Sequence, residues 1–113
     1  VKLAEKNRNI APIFSDARNT EYVKKSMFGK EINILFQDIP STDQVKILIR
    51  NSELISKEGK ILFSLKTQSI SQQSPQITCK EAEIKLNEKF KILSKISLEP
   101  YHKKHYFFVL KKK

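Results

Sequence analysis

Charged or titratable side chains stand at the ends of four apolar runs in this sequence. Asp16 follows the run IAPIF, Asp38 follows INILF, Lys66 follows ILFSL, and His105 opens HYFFVL. Carboxylate, ammonium and imidazole groups that lie close together can orient a hydroxyl group and exchange its proton. Each residue taken alone is equally consistent with the first exposed position beyond a buried strand. The choice between these interpretations depends on whether the apolar runs belong to one sheet.

Five apolar runs predict the strands that would position these residues. They are IAPIF (10–14), INILF (32–36), ILFSL (61–65), KILSKISL (91–98) and HYFFVL (105–110). INILF and ILFSL are nearly continuous, which favours strands that are covered on both faces. Pro12 has no backbone N–H to donate, so it limits the first strand to a sheet edge or a bulge.

Helical patterns separate these strands. A short helix is predicted from a cap at Asn19 or Thr20 to about Lys25. A longer one, STDQVKILIRNSELI (41–55), has apolar residues at helical spacing, and we expect it to continue until Gly59.

A third helix is predicted to begin at Ser74, a capping residue that is followed by proline at the first helical position. Its buried face is marked by residues three and four apart, namely Cys79, Ala82, Leu86 and Phe90. The alternating order of strands and helices predicts an α/β fold, in which a mostly parallel sheet carries helices on both faces. The last two strands add a terminal antiparallel hairpin.

Ligands in open α/β sheets bind beyond the carboxyl ends of the strands. Asp16, Asp38 and Lys66 are therefore expected on one rim of the sheet. His105 joins them, because an antiparallel strand begins at the end where its parallel neighbours finish.

The composition favours a polyanionic partner. The chain has 113 residues, and its 22 Lys and Arg residues against 12 acidic residues give a net charge of +10. RNA or DNA is the first candidate for such a charge, and an anionic membrane surface is the second. The single Cys79 rules out an internal disulfide and a cysteine-based metal site, and we expect no metal. The absence of an amino-terminal apolar stretch indicates an intracellular compartment.

Four segments resemble successive motifs of the fibrillarin family, the box C/D ribonucleoprotein RNA 2′-O-methyltransferases. They are NIAPIFSDAR (9–18), FQDIPSTDQ (36–44), SLKTQSI (64–70) and LEPYHKKHYFFVL (98–110). The resemblance implies the Rossmann-like fold of methyltransferases that use S-adenosyl-L-methionine as cofactor. It covers essentially the whole chain and matches the carboxyl-terminal part of the family.

The resemblance also implies a set of site residues. The family's catalytic Lys-Asp-Lys-His set carries over in part, to Asp38, Lys66 and His105. The cofactor contacts carry over to Asp16 and Ala17, with Asp38 beside them. His102 matches a position that is usually acidic in the family, so it is assigned to the surface.

Some of the family's features are absent from this sequence. The first catalytic lysine and the glycine-rich cofactor loop lie upstream in the family, and only Gly29 and Gly59 occur here. The loops after Asp38 and Lys66 also depart from the usual residues. We therefore interpret residues 1–113 as the carboxyl-terminal part of a single methyltransferase domain, with amino-terminal strands missing and an incomplete enzyme as the result.

The resemblance implies S-adenosylmethionine-dependent 2′-O-methylation of ribose in rRNA or tRNA, guided by box C/D RNA. The implied partners are guide RNA, target rRNA, a Nop-type scaffold protein and a box C/D core protein, with no membrane and no DNA. The implied location is the nucleolus, or the cytoplasm if the source is archaeal. Two alternatives stay open: a catalytically incomplete structural subunit and a basic RNA-binding module.

The chemistry of methyl transfer assigns roles to the candidate residues. A ribose hydroxyl is a poor nucleophile at neutral pH, so transfer needs in-line positioning and a partner for the hydroxyl proton. Lys66 is the candidate general base or hydroxyl-orienting group, and Asp38 is its partner. His105 is a further polar contact near substrate or cofactor. A lysine accepts the proton only if its pKa falls well below about 10.4.

Overall fold

The computed structural model describes residues 5–100 and 104–113 of the chain. It divides into two compact units, Val1–Lys30 and Glu31–Lys113. None of the helices in these described residues is both long and apolar enough to cross a membrane.

The first unit contains the helix α1, Thr20–Ser26, in a chain that is otherwise mostly irregular. The side chain of Asn19 caps α1 by accepting a hydrogen bond from the backbone N–H of Tyr22 at 3.1 Å. Residues 5 and 6 are also helical. The predicted short helix with a cap at Asn19 is therefore confirmed.

The predicted strand IAPIF (10–14) is wrong, because these residues have no strand pairing in the structure. Ile13 and Phe14 are exposed. A strand exists only when a neighbour pairs with its backbone groups, and none of the described strands pairs with this segment. Pro12 lacks an N–H and weakens the segment further.

The second unit is built on a four-stranded sheet. Its strands are β1 (Ile32–Gln37), β2 (Ile55–Lys66), β3 (Phe90–Ser97) and β4 (His105–Lys112). Their spatial order is β1-β2-β4-β3. β1 and β2 are parallel, whereas β4 is antiparallel to both β2 and β3. The predicted terminal hairpin of β3 and β4 is confirmed.

Three helices and one 3-10 turn connect the strands. They are α2 (Gln44–Asn51), the 3-10 turn (Ser52–Leu54), α3 (Thr67–Ile70) and α4 (Pro75–Lys89). Ser74 caps α4 and Pro75 occupies its first turn, as predicted. The short α3 directly follows β2.

The second helix is shorter than predicted, since it does not continue to Gly59. Its helical turns end at Leu54, and β2 begins at Ile55. Gly59 lies inside that strand, where an added Cβ would stand 2.9 Å from the backbone oxygen of Asn33. Glycine here allows a close approach of the backbones of β1 and β2 rather than ending a helix.

The core lies between one face of the sheet and the helices α2 and α4. Its fully buried members come from both layers and include Leu48, Ile61, Phe63, Leu65, Leu86, Phe90, Phe108 and Leu110. The rings of Phe63 and Phe108 stack with their centroids 6.2 Å apart. Three of the four residues predicted on the face of α4 are buried within that helix; the fourth, Phe90, is equally buried but begins β3.

The opposite face of the sheet is open in the described residues. We expected INILF to be covered on both faces, but Ile34 and Phe36 of β1 are 62% and 58% exposed. Because β1 is an edge strand, one of its sides is also without a neighbouring strand. Within the described residues, β1 is therefore covered on one face only.

Candidate functional site

Asp38 and Lys66 meet at the carboxyl ends of two parallel strands. Lys66 is the last residue of β2, and Asp38 directly follows β1. The Lys66 ammonium donates a hydrogen bond to the Asp38 carboxylate, forming an ion pair. Their side chains are 22% and 50% exposed, so the pair is accessible from solvent. The sequence predicted this juxtaposition from strand order alone.

His105 lies directly opposite Lys66 across the antiparallel pair of β2 and β4. Residues opposite one another share a face of the sheet, with their Cβ atoms about 4.5–5.5 Å apart. The imidazole and the ammonium therefore extend from the same face of the sheet. This explains why a strand with an apolar interior begins with histidine: its first residue is placed beside the charged pair.

The buried side chain of Gln44 holds the backbone of Lys66. Its Oε1 accepts a hydrogen bond from the Lys66 N–H at 3.0 Å, and its Nε2 donates to the Lys66 carbonyl at 2.9 Å. Gln44 is fully buried at the start of α2. The Gln44 amide thus forms the pair of hydrogen bonds that a neighbouring strand would form with the end of β2. These bonds fix the position of the Lys66 backbone.

Gln37 extends this network to β1. Its Nε2 donates to the backbone oxygen of Gln44 at 2.8 Å, and the side chain is buried. The sequence analysis gave no role to Gln37 or Gln44, although both lie within the segment FQDIPSTDQ. The available signal was a polar residue on the core face of β1, since a buried amide must find partners.

Thr67 anchors the turn that leads into β4. Its backbone N–H and its hydroxyl both donate to the carbonyl of Lys104, at 3.1 Å and 2.7 Å. Lys104 has a φ of 65°, a left-handed conformation that is uncommon for a residue other than glycine. Two hydrogen bonds to its carbonyl stabilise this turn and so place His105 next to Lys66.

Asp16 and Ala17 belong to the first unit, whereas Asp38, Lys66 and His105 belong to the second. The Asp16 carboxylate accepts from the backbone N–H of Arg18 at 2.8 Å and forms an ion pair with its guanidinium at 3.2 Å. Asp16 therefore belongs to a different unit from Asp38, Lys66 and His105, and its place on the same rim stays a prediction. His102 lies outside the described residues.

Cys79, Glu83 and Lys95 form a separate titratable cluster on the helical side of the sheet. Lys95 and Glu83 are an ion pair, and the hydrogen bond to Glu83 raises the pKa of Lys95. Burial, together with the nearby Glu83 carboxylate, raises the pKa of the Cys79 thiol to about 11. A thiol that stays protonated is unreactive, so Cys79 has the structural role that the sequence suggested.

A groove of about 230 Å³ lies between α2 and α4. Its charged lining is balanced, with Asp43 and Glu81 against Lys46 and Lys85. Neither Asp38 nor Lys66 lines this groove. Within residues 5–100 and 104–113, no group of three potential metal-ligating side chains lies close enough together to hold a metal ion.

The fold is a Rossmann-like α/β domain with a charged pair at the carboxyl ends of β1 and β2, the edge at which ligands bind in open α/β sheets. The chain is similar in structure to Methanococcus jannaschii fibrillarin pre-rRNA processing protein, with a TM-score of 0.90 and 26% identity over 98% of this chain and 49% of that one. It is equally similar to the fibrillarin of a fibrillarin/Nop5p complex, with a TM-score of 0.91 and 26% identity over 99% and 54% of the two chains.

A third structural match is Aeropyrum pernix fibrillarin with natively bound S-adenosyl-L-methionine. Its TM-score is 0.80, and the 24% identity covers 96% of this chain and 48% of that one. Together these matches confirm the predicted α/β fold with its terminal antiparallel hairpin, and this chain spans about half of each matched chain.

Sequence comparison gives the family. Fibrillarin-like rRNA/tRNA 2′-O-methyltransferases of Pyrococcus horikoshii and Thermococcus sibiricus are 34% and 36% identical over 99% of this chain. The chain spans about half the length of these relatives, 49% and 50%. The fibrillarin family model matches residues 1–113, and the chain belongs to the fibrillarin family.

The amide of Gln44 is a testable part of this site. The Gln44→Leu variant loses both hydrogen bonds between this side chain and the Lys66 backbone. An unsatisfied buried polar group costs about 1–3 kcal/mol. We predict a loss of about 2 kcal/mol or more in the free energy of unfolding, measured by urea denaturation.

The matched control is Gln68→Leu, at an exposed glutamine of α3. Surface substitutions of this kind usually change stability by about 0.5 kcal/mol or less. Equal stability of the two variants would show that Gln44 does not hold the end of β2.

Proposed function

We propose that this chain supplies the catalytic edge of an S-adenosylmethionine-dependent RNA ribose 2′-O-methyltransferase. The observation that carries the proposal is the Asp38–Lys66 ion pair at the carboxyl ends of β1 and β2, with His105 opposite Lys66. Membership of the fibrillarin family supports it, as does the 2′-O-methyltransferase activity for which its relatives are named. Because the chain spans half of those relatives, the activity is proposed for a domain that includes the other half.

The proposed reaction is an in-line displacement. The ribose 2′-oxygen forms a bond to the methyl carbon, and the bond from that carbon to sulfur breaks, which leaves a neutral thioether. The hydroxyl proton passes to the half-exposed Asp38 carboxylate or to solvent. S-adenosylmethionine supplies the electrophilic methyl group on a sulfonium ion. The task of the protein is to hold the hydroxyl in line and to give its proton a place to go.

The geometry supports an orienting role for Lys66. An ammonium has three N–H donors, so Lys66 can donate to Asp38 and to a further oxygen at the same time. In the proposed complex that oxygen is the ribose 2′-oxygen, and Asp38 holds Lys66. The Asp38 carboxylate is half exposed, so a substrate hydroxyl can also approach it. His105 provides a further polar contact on the same face of the sheet.

The residues present fit the cofactor in part. Asp16 and Ala17 are proposed to contact its adenine, and Asp38 to lie near its methyl-bearing end. The Asp16 side chain is 60% exposed, so its carboxylate remains accessible despite its bonds to Arg18. The sequence contains only Gly29 and Gly59, and neither belongs to a glycine-rich loop of the kind that lets a cofactor approach the backbone.

RNA is the proposed substrate and guide. A net charge of +10 favours binding to phosphates, and lysine contacts of this kind give affinity without reading sequence. Box C/D guide RNA, a target in rRNA or tRNA, a Nop-type scaffold and a box C/D core protein complete the proposed assembly. The complex with Nop5p formed by one structural relative supports the scaffold. For the location we propose the nucleolus, with the archaeal cytoplasm as the alternative that the sources of the relatives favour.

A catalytically incomplete structural subunit is the second candidate. The absence of a glycine-rich loop from the sequence favours it. Such a subunit would bind RNA or a scaffold while cofactor binding and methyl transfer took place elsewhere. Methylation by the completed domain that depends on Lys66 would exclude it.

The catalytic proposal is tested in a domain completed with the upstream half of the Pyrococcus horikoshii relative. Lys66→Ala or Asp38→Ala removes one member of the ion pair, and we predict a loss of methyl transfer of about 100-fold or more. RNA affinity should stay within a few-fold. The measurement is transfer of labelled methyl to a guide-paired RNA, with the 2′-O position mapped.

Lys80→Ala, at an exposed position of α4, is the control and should methylate at the parental rate. Parental rates for both Lys66→Ala and Asp38→Ala would overturn the proposed site. If the completed parental domain methylated a base instead of the 2′-oxygen, the proposed reaction would be overturned.

The charge of the chain predicts how RNA binding responds to salt. Counterion release makes affinity fall steeply as salt rises, and we predict about a tenfold loss or more between 50 and 200 mM salt. Fluorescence anisotropy with two RNAs of unrelated sequence should give similar curves. Affinity that is independent of salt, or that differs strongly between the two RNAs, would contradict phosphate-based binding.

A further inference from the structure

Thr78 carries a buried hydroxyl group that has no hydrogen-bond partner within the described residues. The residue belongs to α4 and is 1% exposed, so solvent does not provide a partner either. A threonine in a helix can usually bond the carbonyl three or four residues earlier, but this hydroxyl does not. Because buried polar groups are nearly always paired, the Thr78 hydroxyl is a candidate contact for a ligand.

Thr78 lines the groove of about 230 Å³ between α2 and α4. The apolar part of the lining consists of Val45, Ile70 and Ala82. Val45 and Ala82 are buried, so they are fixed parts of the core rather than mobile surface groups. Pockets for drug-sized ligands have volumes of about 300–1,000 Å³. The groove therefore fits a smaller molecule with a short apolar part.

The groove also presents charges of both signs. Lys46 and Lys85 line it together with Asp43 and Glu81. Glu81 precedes Lys85 by four residues on α4, a spacing that favours an ion pair within a helix. Within the described part of the chain, however, Lys46, Lys85 and Glu81 form no ion pair. These charges are thus available to a ligand of opposite sign.

The amino end of α2 adds hydrogen-bond donors to the same groove. Asp43 is the N-cap residue, but its side chain does not cap the helix and accepts from the Ser41 hydroxyl instead. The first N–H groups of a helix have no partner inside it, and they favour a negatively charged group. Val45 and Lys46 of this first turn line the groove. A carboxylate finds donors at α2, and an ammonium group finds Glu81 on the wall formed by α4.

We propose that the groove between α2 and α4 binds a small aliphatic zwitterion, of the chemical class of a free α-amino acid. Its carboxylate lies at the amino end of α2 and pairs with Lys46 and Lys85. Its ammonium group pairs with Glu81, and its aliphatic part packs on Ala82. The Thr78 hydroxyl supplies a hydrogen bond that orients it. The proposal rests on the fold and not on the proposed reaction.

The balanced charge of the lining argues against other ligands. An anion alone, such as an RNA phosphate, lies beside Asp43 and Glu81 and is repelled by both. A cation alone meets the ammonium groups of Lys46 and Lys85 in the same way. An apolar helix laid in the groove removes all four charged side chains from water without pairing them, which is costly. A zwitterion pairs with both signs at once.

The first experiment titrates the ¹⁵N-labelled chain with three probes that share one carbon skeleton and follows the backbone amide shifts. L-Leucine carries both charges, leucinamide only the positive one, and 4-methylpentanoate only the negative one. We expect L-leucine to shift the amides of Val45, Thr78 and Ala82 with a Kd on the order of 1 mM. Each analogue should bind at least tenfold more weakly.

Two outcomes of this titration would overturn the proposal. One is the absence of amide shifts at these residues with L-leucine at about 20 mM. The other is equally tight binding of 4-methylpentanoate or leucinamide, which would make the groove a site for a single charge.

The second experiment removes one charge of the groove at a time. Glu81→Gln and Lys85→Gln should each weaken L-leucine binding by about threefold or more, the size of effect expected for an exposed ion pair. Lys80→Gln and Glu88→Gln are the matched controls, because both residues are exposed on α4 and neither lines the groove. Their affinity should equal that of the parental chain. Equal affinities of the groove variants and the controls would contradict the proposed pairing.

The third experiment tests the unpaired hydroxyl itself. Thr78→Val replaces it with a methyl group of similar shape, so the thermal midpoint without ligand should rise by about 2 °C or more. The same variant should bind L-leucine at least threefold more weakly, whereas Thr78→Ser keeps the hydroxyl and should bind like the parent. Parental affinity in Thr78→Val, or a loss of affinity in Thr78→Ser as large as in Thr78→Val, would remove this hydroxyl from the site and overturn the proposal.

Discussion

The bidentate hydrogen bonding between the Gln44 side chain and the Lys66 backbone is the constraint on which the site depends. It joins the first turn of α2 to the last residue of β2, and the Gln37 amide joins the same turn to β1. Gln37 and Gln44 are buried, so water cannot replace their contacts without cost. The Lys66 side chain, which is 22% exposed, therefore extends from a fixed backbone. Asp38 directly follows the adjacent parallel strand, and His105 pairs with Lys66 across β2 and β4, so both residues lie close to it.

The site and the open face of the sheet are parts of one surface. Lys66 and His105 lie opposite one another at one end of this face. The exposed side chains of Phe36 and Ile96 lie further along the same face. The ion pair is therefore continuous with an apolar surface, on the side of the sheet away from the core helices.

The sequence predicted those elements whose signals are local. The Ser74-Pro75 start of α4 and the Asn19 cap of α1 are recognisable because a few neighbouring residues determine them. The position of His105 beside Lys66 also followed from the sequence, since an antiparallel strand fixes which ends meet. The juxtaposition of Asp38 and Lys66 required only that INILF and ILFSL be adjacent parallel strands.

The errors of the sequence analysis have non-local causes. IAPIF has the composition of a strand, but a strand needs a partner that the described chain does not provide. The segment from Ile55 to Gly59 continues a helical pattern, yet pairing of Ile32 with Ile55 places it in β2. Gln44 looked like an ordinary polar residue near a helix start, because its role depends on Lys66, 22 residues away. Tertiary contacts overrode local propensity in each case.

We propose that the Asp38–Lys66 edge is half of a methyltransferase centre whose cofactor site needs a second half. Calorimetric titration with S-adenosylmethionine tests it most directly, on the purified chain and on its complex with the upstream half of the Pyrococcus horikoshii relative. The account predicts no binding to the chain alone at micromolar concentrations and 1:1 binding to the complex, with a Kd on the order of micromolar. A monomeric chain that binds S-adenosylmethionine at micromolar affinity unaided would contradict it.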